Sequence, residues 1–354
     1  MARVRYIIIG AGAVGGTIGG CLFQAGHDVV LVARGAHLEA LRARGLRLAT
    51  PLGTSMLGIP AVGGPAEAGL RPGDTLILTA KTQDAAALLD EWAWQPVSGG
   101  TVAAQTLPVV CAQNGVASER FALRRFRHVY GMHVWLPATH LEPGEVALQG
   151  APLAGLLHIG RYPSGADATS QRIAEDLGKS RFLALVSQNV MRWKYGKLLD
   201  NLNNAIEALC GRGASGFGAA AQAGDAAELR RLVRDEGTAV LDIAGFDYSS
   251  AAELADVRRD SIRIEPVNGS ARAGGSSWQS LTRQTGTIEA NFLNGEIVLL
   301  GRQYDVPTPV NEALQRLANQ AARERMPPGS LTPAQILAAA GVAEGPGGTP
   351  VRSG

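Results

Sequence analysis

Uncharged positions run without a break from Tyr6 to Gly26 in the stretch "RYIIIGAGAVGGTIGGCLFQAGHDVVLVARG". A run of that length suits a signal peptide, a membrane-spanning helix or a cofactor-binding turn, and its glycines decide among them. Seven lie at positions 10, 12, 15, 16, 19, 20 and 26, and each costs a helix interior about 1 kcal/mol relative to alanine. A spanning helix is not built this way. Nor does a cleavage site follow; the chain passes directly into "HDVVLVARG", a second apolar run. The pattern predicts a strand over Val4 to Ile9, a glycine turn, a helix from Ala13 to about Ala25, and a strand over Asp28 to Val32.

The alternation returns twice. "DTLILTAKTQDAAALLDEW" predicts a strand over Thr75 to Ala80 that ends at Lys81, and "LPVVCAQNGVASERFALRRF" predicts another with Asn114-Gly115 in its turn. From His128 to Tyr162 short apolar runs are separated by "LEPGE" and "RYPSG", and read as strands or a hairpin completing a first domain. Beyond Phe182 to Val186 the pattern becomes helical. In "QNVMRWKYGKLLDNLNNAIEALCG" Leu198, Leu202, Ile206 and Leu209 form an apolar face, while Lys197, Asn201 and Asn204 share a polar line flanked by Asp200 and Glu207. Asparagine is a weak helix former, so this cluster asks for a reason beyond solvation. Further on, Gly274 to Ser280 reads as a small-residue loop or helix start. Glu289 falls on the following helix with Phe292, Leu293, Ile297 and Leu300 as its apolar positions, and Pro307 and Pro309 introduce a last helix from about Val310. These patterns predict a first domain over 1–187, a second over 188–340, and a Gly/Pro-rich disordered tail over 341–354.

Composition narrows the function. The 354 residues suffice for two cores, and 46% hydrophobic with 18% charged residues is a globular balance. A net charge of +2 with no basic run gives no nucleic-acid patch, and nothing beyond the opening stretch suggests a membrane role. Cys21, Cys111 and Cys210 are isolated, which fits a reducing cytoplasm, and the six scattered histidines form no metal motif. Leu-rich and Ala-rich helices of the second domain serve either as core or as a homodimer face.

Gly10, Gly12 and Gly15 stand as G-x-G-x-x-G at the strand-to-helix junction. The first permits the tight turn, the second lets a pyrophosphate approach the backbone, and the third lets helix and strand pack closely. Ala13 and Val14 open the helix, whose first-turn N–H groups and positive dipole end face the phosphates. The second strand ends Val32-Ala33-Arg34, without the acid that usually receives the ribose 2′-hydroxyl of NAD. A guanidinium there suits a 2′-phosphate, so NADP is expected as the cofactor. Lys81 and Asn114 end strands on the same rim. Lys81 suits a cofactor phosphate, and Asn114 either binds ribose or substrate or merely forms the turn.

Together "GAGAVG", "TAKTQD", "AQNG", "WKYGKLLDN" and "SSWQSLTRQTGTIEANFLNG" resemble the ketopantoate reductase (2-dehydropantoate 2-reductase) family over roughly Val4 to Gln320. The resemblance implies an α/β Rossmann N-terminal domain plus an all-α C-terminal domain (6-phosphogluconate dehydrogenase C-terminal-like). It also implies NADPH-dependent reduction of a small-molecule 2-oxo acid, first among them 2-dehydropantoate. Carried over residue by residue, Lys197 matches the lysine that protonates the ketone oxygen, and Asn201 the asparagine one turn on. Ser277 matches the serine that holds the substrate carboxylate. Glu289 matches the acid that contacts the hydroxyl, and is counted with both the catalytic and the cofactor-binding residues. Arg34 and Lys81 match the receivers of the NADP phosphate, and Asn114 an asparagine near the nicotinamide ribose. Two positions depart from the pattern. A second asparagine of the lysine helix would fall at Ala205, with Asn204 one place earlier, and another substrate asparagine would fall at Gly274. These departures leave open a reductase of the same family with a different keto or hydroxy substrate. A non-catalytic NADP-binding sensor is the reading of a different class.

Overall fold

In the computed structural model the chain divides into two units, Met1–Asn201 with Gly245–Gly274 and Leu202–Ala244 with Gly275–Gly354. The structure describes residues 4–211, 224–270 and 274–342, so the expected tail lies outside the described residues from 343 onward.

The first unit is built on an eight-stranded sheet of Arg5–Ile9 (β1), Asp28–Val32 (β2), Ala61–Val62 (β3), Thr75–Leu78 (β4), Pro108–Cys111 (β5), His128–Trp135 (β6), Gly155–Arg161 (β7) and Phe182–Val186 (β8). Its spatial order is β3-β2-β1-β4-β5-β6-β7-β8. The strands β1 to β6 are parallel, β7 is antiparallel to β6, and β8 is parallel to β7. The order 3-2-1-4-5-6 is that of the Rossmann dinucleotide-binding sheet. Each face carries its own core: Tyr6 and Ile8 enter one, Ile7 and Ile9 the other. Burial on both faces is the reason this strand reads as an uninterrupted apolar run.

Helices Ala13–Gln24 (α1), Gly35–Arg44 (α2), Thr82–Ala93 (α3), Ser118–Leu123 (α4), Ala168–Lys179 (α5) and Val190–Asn201 (α6) belong to this unit. The glycines of α1 have a packing cause. A second sheet, in the order Ala138–Thr139, Glu145–Leu148, Leu46–Thr50, Gly53–Leu57, also packs on this helix. A Cβ at Gly19 would stand 2.7 Å from Leu31 in the main sheet, and one at Gly16 would stand 2.8 Å from Val146 in the second. The helix is flanked by sheet on two sides, and side chains there would hold both away.

Segment Gly245–Gly274 returns to the first unit. Its strand Ile262–Ile264 pairs antiparallel with Gly150–Pro152, and Leu254 and Ile262 pack with Leu156. Arg192 of α6 fastens it through Asp247 at 3.0 Å and Glu253 at 2.8 Å.

Among the described residues the second unit is helical: Asn203–Cys210 (α7), Gly224–Ile243 (α8), Ser276–Thr282 (α9), Asn294–Tyr304 (α10), Pro309–Arg323 (α11) and Pro333–Ala339 (α12), with a 3₁₀ turn at Glu289–Phe292. A buried polar chain ties them. Asn294 donates to the Leu202 carbonyl at 3.3 Å and to Asn311 at 3.0 Å, and Asn311 donates to Glu236. Glu236 also accepts the first-turn N–H groups of Val310 and Asn311 at 2.8 and 2.9 Å. The single helix expected over the lysine stretch is interrupted at Leu202, where Asn294 engages a carbonyl, so Asn201 and Asn204 fall in different units. Glu289 lies in the 3₁₀ turn ahead of α10 rather than on that helix. Among the described residues no helix is long and apolar enough to cross a membrane.

Candidate active site

The parallel strands β1, β2, β4 and β5 end level with one another: Ile9 pairs with Val32 and Leu78, and Leu78 with Cys111. The end of β1 is clamped on both sides. The N–H groups of Gly10 and Ala11 donate to the Val32 carbonyl at 3.1 and 3.0 Å, and those of Thr79 and Ala80 to the Ile9 carbonyl at 2.9 and 3.0 Å. Gly10 takes φ +107°, and a Cβ on it would stand 2.6 Å from the Ala80 nitrogen. A Cβ on Gly15 would stand 2.1 Å from the Gly10 carbonyl and 2.4 Å from the Thr79 hydroxyl. Gly12 differs: a Cβ there would meet nothing within 4 Å. This residue is also the N-cap of α1 and makes no side-chain cap, so the first-turn N–H groups of Ala13, Val14 and Gly15 have neither an intrahelical nor a capping acceptor. Two of the three glycines are required by the protein's own packing, and the third faces open space.

Arg34, at the end of β2, precedes α2 and is largely solvent-exposed; its guanidinium donates to Asp84 of α3 at 2.9 Å. Lys81 is the residue before α3. The Thr82 hydroxyl donates to the Asn114 carbonyl at 3.1 Å, tying the turn after β4 to the turn after β5. Gln113, which carries no expected role within "AQNG", stands beside Asn114 after β5. Its side chain is buried and neither amide atom has a hydrogen-bond partner, which is unusual for an interior amide. Its place beside Asn114 at a strand's carboxyl end was the available signal.

The lysine helix α6 packs on β6 and β7. Lys194 is buried against Glu119 of α4, also buried, and reaches the Cys111 carbonyl at 3.5 Å. Lys197, three residues on, is half-buried, and Asn201 is buried with its Nδ2 lacking a partner. Across β6 and β7, His133 and His158 pair directly in register and meet Nδ1 to Nδ1 at 3.1 Å. One ring must donate and the other accept, so both cannot be protonated. Trp193 stacks on His158 with centroids 3.9 Å apart. Burial holds His133 well below the ordinary imidazole range, and the charges of His158, Lys197 and Lys194 press it the same way. Burial pulls His158 down to about 4. Burial pushes the Cys111 thiol well up, the Glu119 charge adds to this, and Lys194 opposes it. The helix can lie close because residue 196 is glycine: a Cβ there would stand 2.3 Å from the Ser249 hydroxyl and 2.4 Å from its carbonyl.

Asn204, Ser277 and Glu289 belong to the second unit. Glu207 accepts the Gly275 N–H at 3.0 Å, and a Cβ on Gly275 would stand 3.4 Å from the Asn204 carbonyl oxygen of the side-chain amide. Asn204 thus lies at the start of α9, the helix that carries the buried Ser277. Ala205 is in the core, Gly274 takes φ +143°, and Glu289 is buried in its 3₁₀ turn. Lys197 and Asn201 share one unit with the glycine turn, Arg34, Lys81 and Asn114. Among the described residues no group of His, Cys, Asp and Glu could hold a metal ion.

The family model described as Ketopantoate reductase PanE/ApbA matches residues 6–164, and the model of that family's C-terminal part matches residues 189–322. The 2-dehydropantoate 2-reductase of Pyrococcus horikoshii is 26% identical over 334 residues, spanning 92% of this chain and 100% of its own. That of Archaeoglobus fulgidus is 29% identical over 315 residues, spanning 88% and 96%. Among solved structures, a PanE/ApbA family ketopantoate reductase from Ralstonia eutropha JMP134 superposes with a TM-score of 0.72 at 25% identity, covering 91% of this chain and 99% of its own. A D-mandelate dehydrogenase solved with NADH and anilino(oxo)acetate shares the fold, with a TM-score of 0.73 at 20% identity and coverage of 91% and 99%.

Proposed function

The chain belongs to the ketopantoate reductase PanE/ApbA family, a family of oxidoreductases, and on that premise we propose that it reduces a small 2-oxo acid with NADPH, 2-dehydropantoate first, using Lys197 as general acid. The observation that carries this reading is the placement of Lys197 one turn before the buried Asn201, whose amide nitrogen lacks a partner, in the unit that holds the open glycine turn. A nicotinamide dinucleotide fits the residues present. Gly12 leaves room for a pyrophosphate, the uncapped start of α1 offers N–H donors to it, and Arg34 and Lys81 supply cations after β2 and β4, the strands on either side of β1.

When bound, the reduced nicotinamide supplies the hydride that the ketone carbon receives. The chain's own part is electrostatic. Negative charge grows on the ketone oxygen, and the Lys197 ammonium stabilises that charge and then protonates it. The Asn201 amide has a free donor for the same oxygen or its neighbour, and a donor without a protein partner keeps its full strength for the ligand. The family resemblance gives Ser277 the substrate carboxylate and Glu289 the hydroxyl; Ser277 and Asn204 both lie around the start of α9.

The test is loss of NADPH absorbance with purified protein, 2-dehydropantoate and a panel of aliphatic and aryl 2-oxo acids. The expected result is turnover that falls roughly 10²- to 10⁴-fold in Lys197→Ala, with NADPH affinity retained. Equal rates for wild type and variant would overturn the role of Lys197. Tight NADPH binding without turnover of any carbonyl would favour a sensor. A second reading, the same chemistry on another keto acid, is favoured by Ala205, which is core where the family's pattern has an asparagine; preference for another member of the panel would select it.

A further inference from the structure

The end of β2 is where dinucleotide enzymes distinguish their cofactors, by an acid on the ribose 2′-hydroxyl of NAD or a cation on the 2′-phosphate of NADP. Here both groups meet at that place. Arg34 follows β2, and its Nη2 donates at 2.9 Å to Oδ2 of Asp84, which comes from the first turn of α3. The pair is exposed, with Arg34 at 83% and Asp84 at 38% of full accessibility. An ion pair so wet is worth a factor of about five at most, and a bound ligand can open it.

We propose that Asp84 is a cofactor-specificity residue that keeps this chain permissive, accepting a ribose hydroxyl from NADH and weakening the hold on the 2′-phosphate of NADPH. The inference rests on the nucleotide-site reading above and sharpens it. Arg34 and Lys81 bring positive charge to this rim, and Asp84 offsets that of Arg34. A 2′-phosphate carries nearly two negative charges. One carboxylate facing it across water then lowers its affinity on the order of tenfold. Against NADH the same carboxylate is an acceptor for the diol, and its repulsive effect is absent.

Dissociation constants of the full chain are measured by fluorescence titration and calorimetry for NADPH and NADH. The fragments adenosine 2′,5′-bisphosphate and AMP differ from each other only by the 2′-phosphate and need no turnover. Wild type is expected to bind NADPH and NADH within about tenfold of one another. In Asp84→Asn, which preserves shape, the NADPH-to-NADH preference rises about tenfold, the bisphosphate gains in parallel, and the gain shrinks at high salt. In Arg34→Ala the preference falls to unity or below. A wild-type preference for NADPH beyond about a hundredfold overturns the proposal, as does an unchanged ratio in Asp84→Asn. The latter would leave Asp84 as a charge placed to suit the dipole of α3. Failure of wild type to bind either dinucleotide would overturn the nucleotide site itself, a result distinct from intact binding with an unmoved ratio.

Discussion

Replacing Lys194 by methionine would strand a carboxylate. Lys194 on α6 and Glu119 on α4 form an ion pair whose side chains are 3% and 0% exposed, and the second Glu119 oxygen already lacks a partner. The methionine fills the lysine's volume, so cavity effects are small and the loss is electrostatic. Removing one partner of a buried pair costs about 3–5 kcal/mol. Lys194→Met is therefore expected to lose about 3 to 5 kcal/mol at pH 7. Urea unfolding followed by tryptophan fluorescence suits the measurement, since Trp92, Trp94, Trp135 and Trp193 all lie in the first unit. The double variant Lys194→Met, Glu119→Leu should recover most of the loss. A deficit below about 1 kcal/mol at pH 7 would refute the reasoning.

The glycine turn separates binding from folding. Gly12→Ala should leave the melting temperature unchanged and weaken nucleotide binding at least about tenfold, while Gly15→Ala, whose Cβ would stand 2.1 Å from a carbonyl, should lower the melting temperature outright. Similar affinities for Gly12→Ala and wild type by calorimetry would contradict this. The histidine pair makes the fold acid-sensitive. Both folded pKa values lie below the unfolded 6.5, His158 at about 4. The unfolded chain therefore takes up protons first, and stability falls by up to about 1.4 kcal/mol per unit per histidine from pH 6.5 towards 4. Melting temperatures of His158→Gln and wild type should diverge in their slope over that window, and parallel slopes would count against the account. Gly196→Ala must push α6 off Ser249, so a loss of about 1–3 kcal/mol together with a lower kcat is expected. Unchanged melting and unchanged turnover would show that α6 has room to spare.

What could be read along the chain was what neighbours in sequence determine. The strand, turn, helix and strand of residues 5 to 32 follow from a run of apolar residues and three spaced glycines, because backbone hydrogen bonding and φ preferences act over a few residues. The apolar face of Leu198, Leu202, Ile206 and Leu209 was legible for the same reason, and all four are buried. Lys197, Ser277 and Glu289 were singled out through family motifs, and the periodicity around them says little about what each side chain meets. Tertiary structure alone decided the rest. Gly19 became necessary only when α1 packed on β1 and β2, and Gly16 only when a second sheet, assembled from residues 46–57 and 138–148, packed on the same helix. The predicted single helix is interrupted at Leu202, whose carbonyl accepts from Asn294, far along the chain. Lys194 with Glu119, His133 with His158 and Arg34 with Asp84 stand 75, 25 and 50 residues apart. Such pairs leave no periodic trace in a sequence, since their energy depends on distance and burial, and those exist only once the chain has closed on itself.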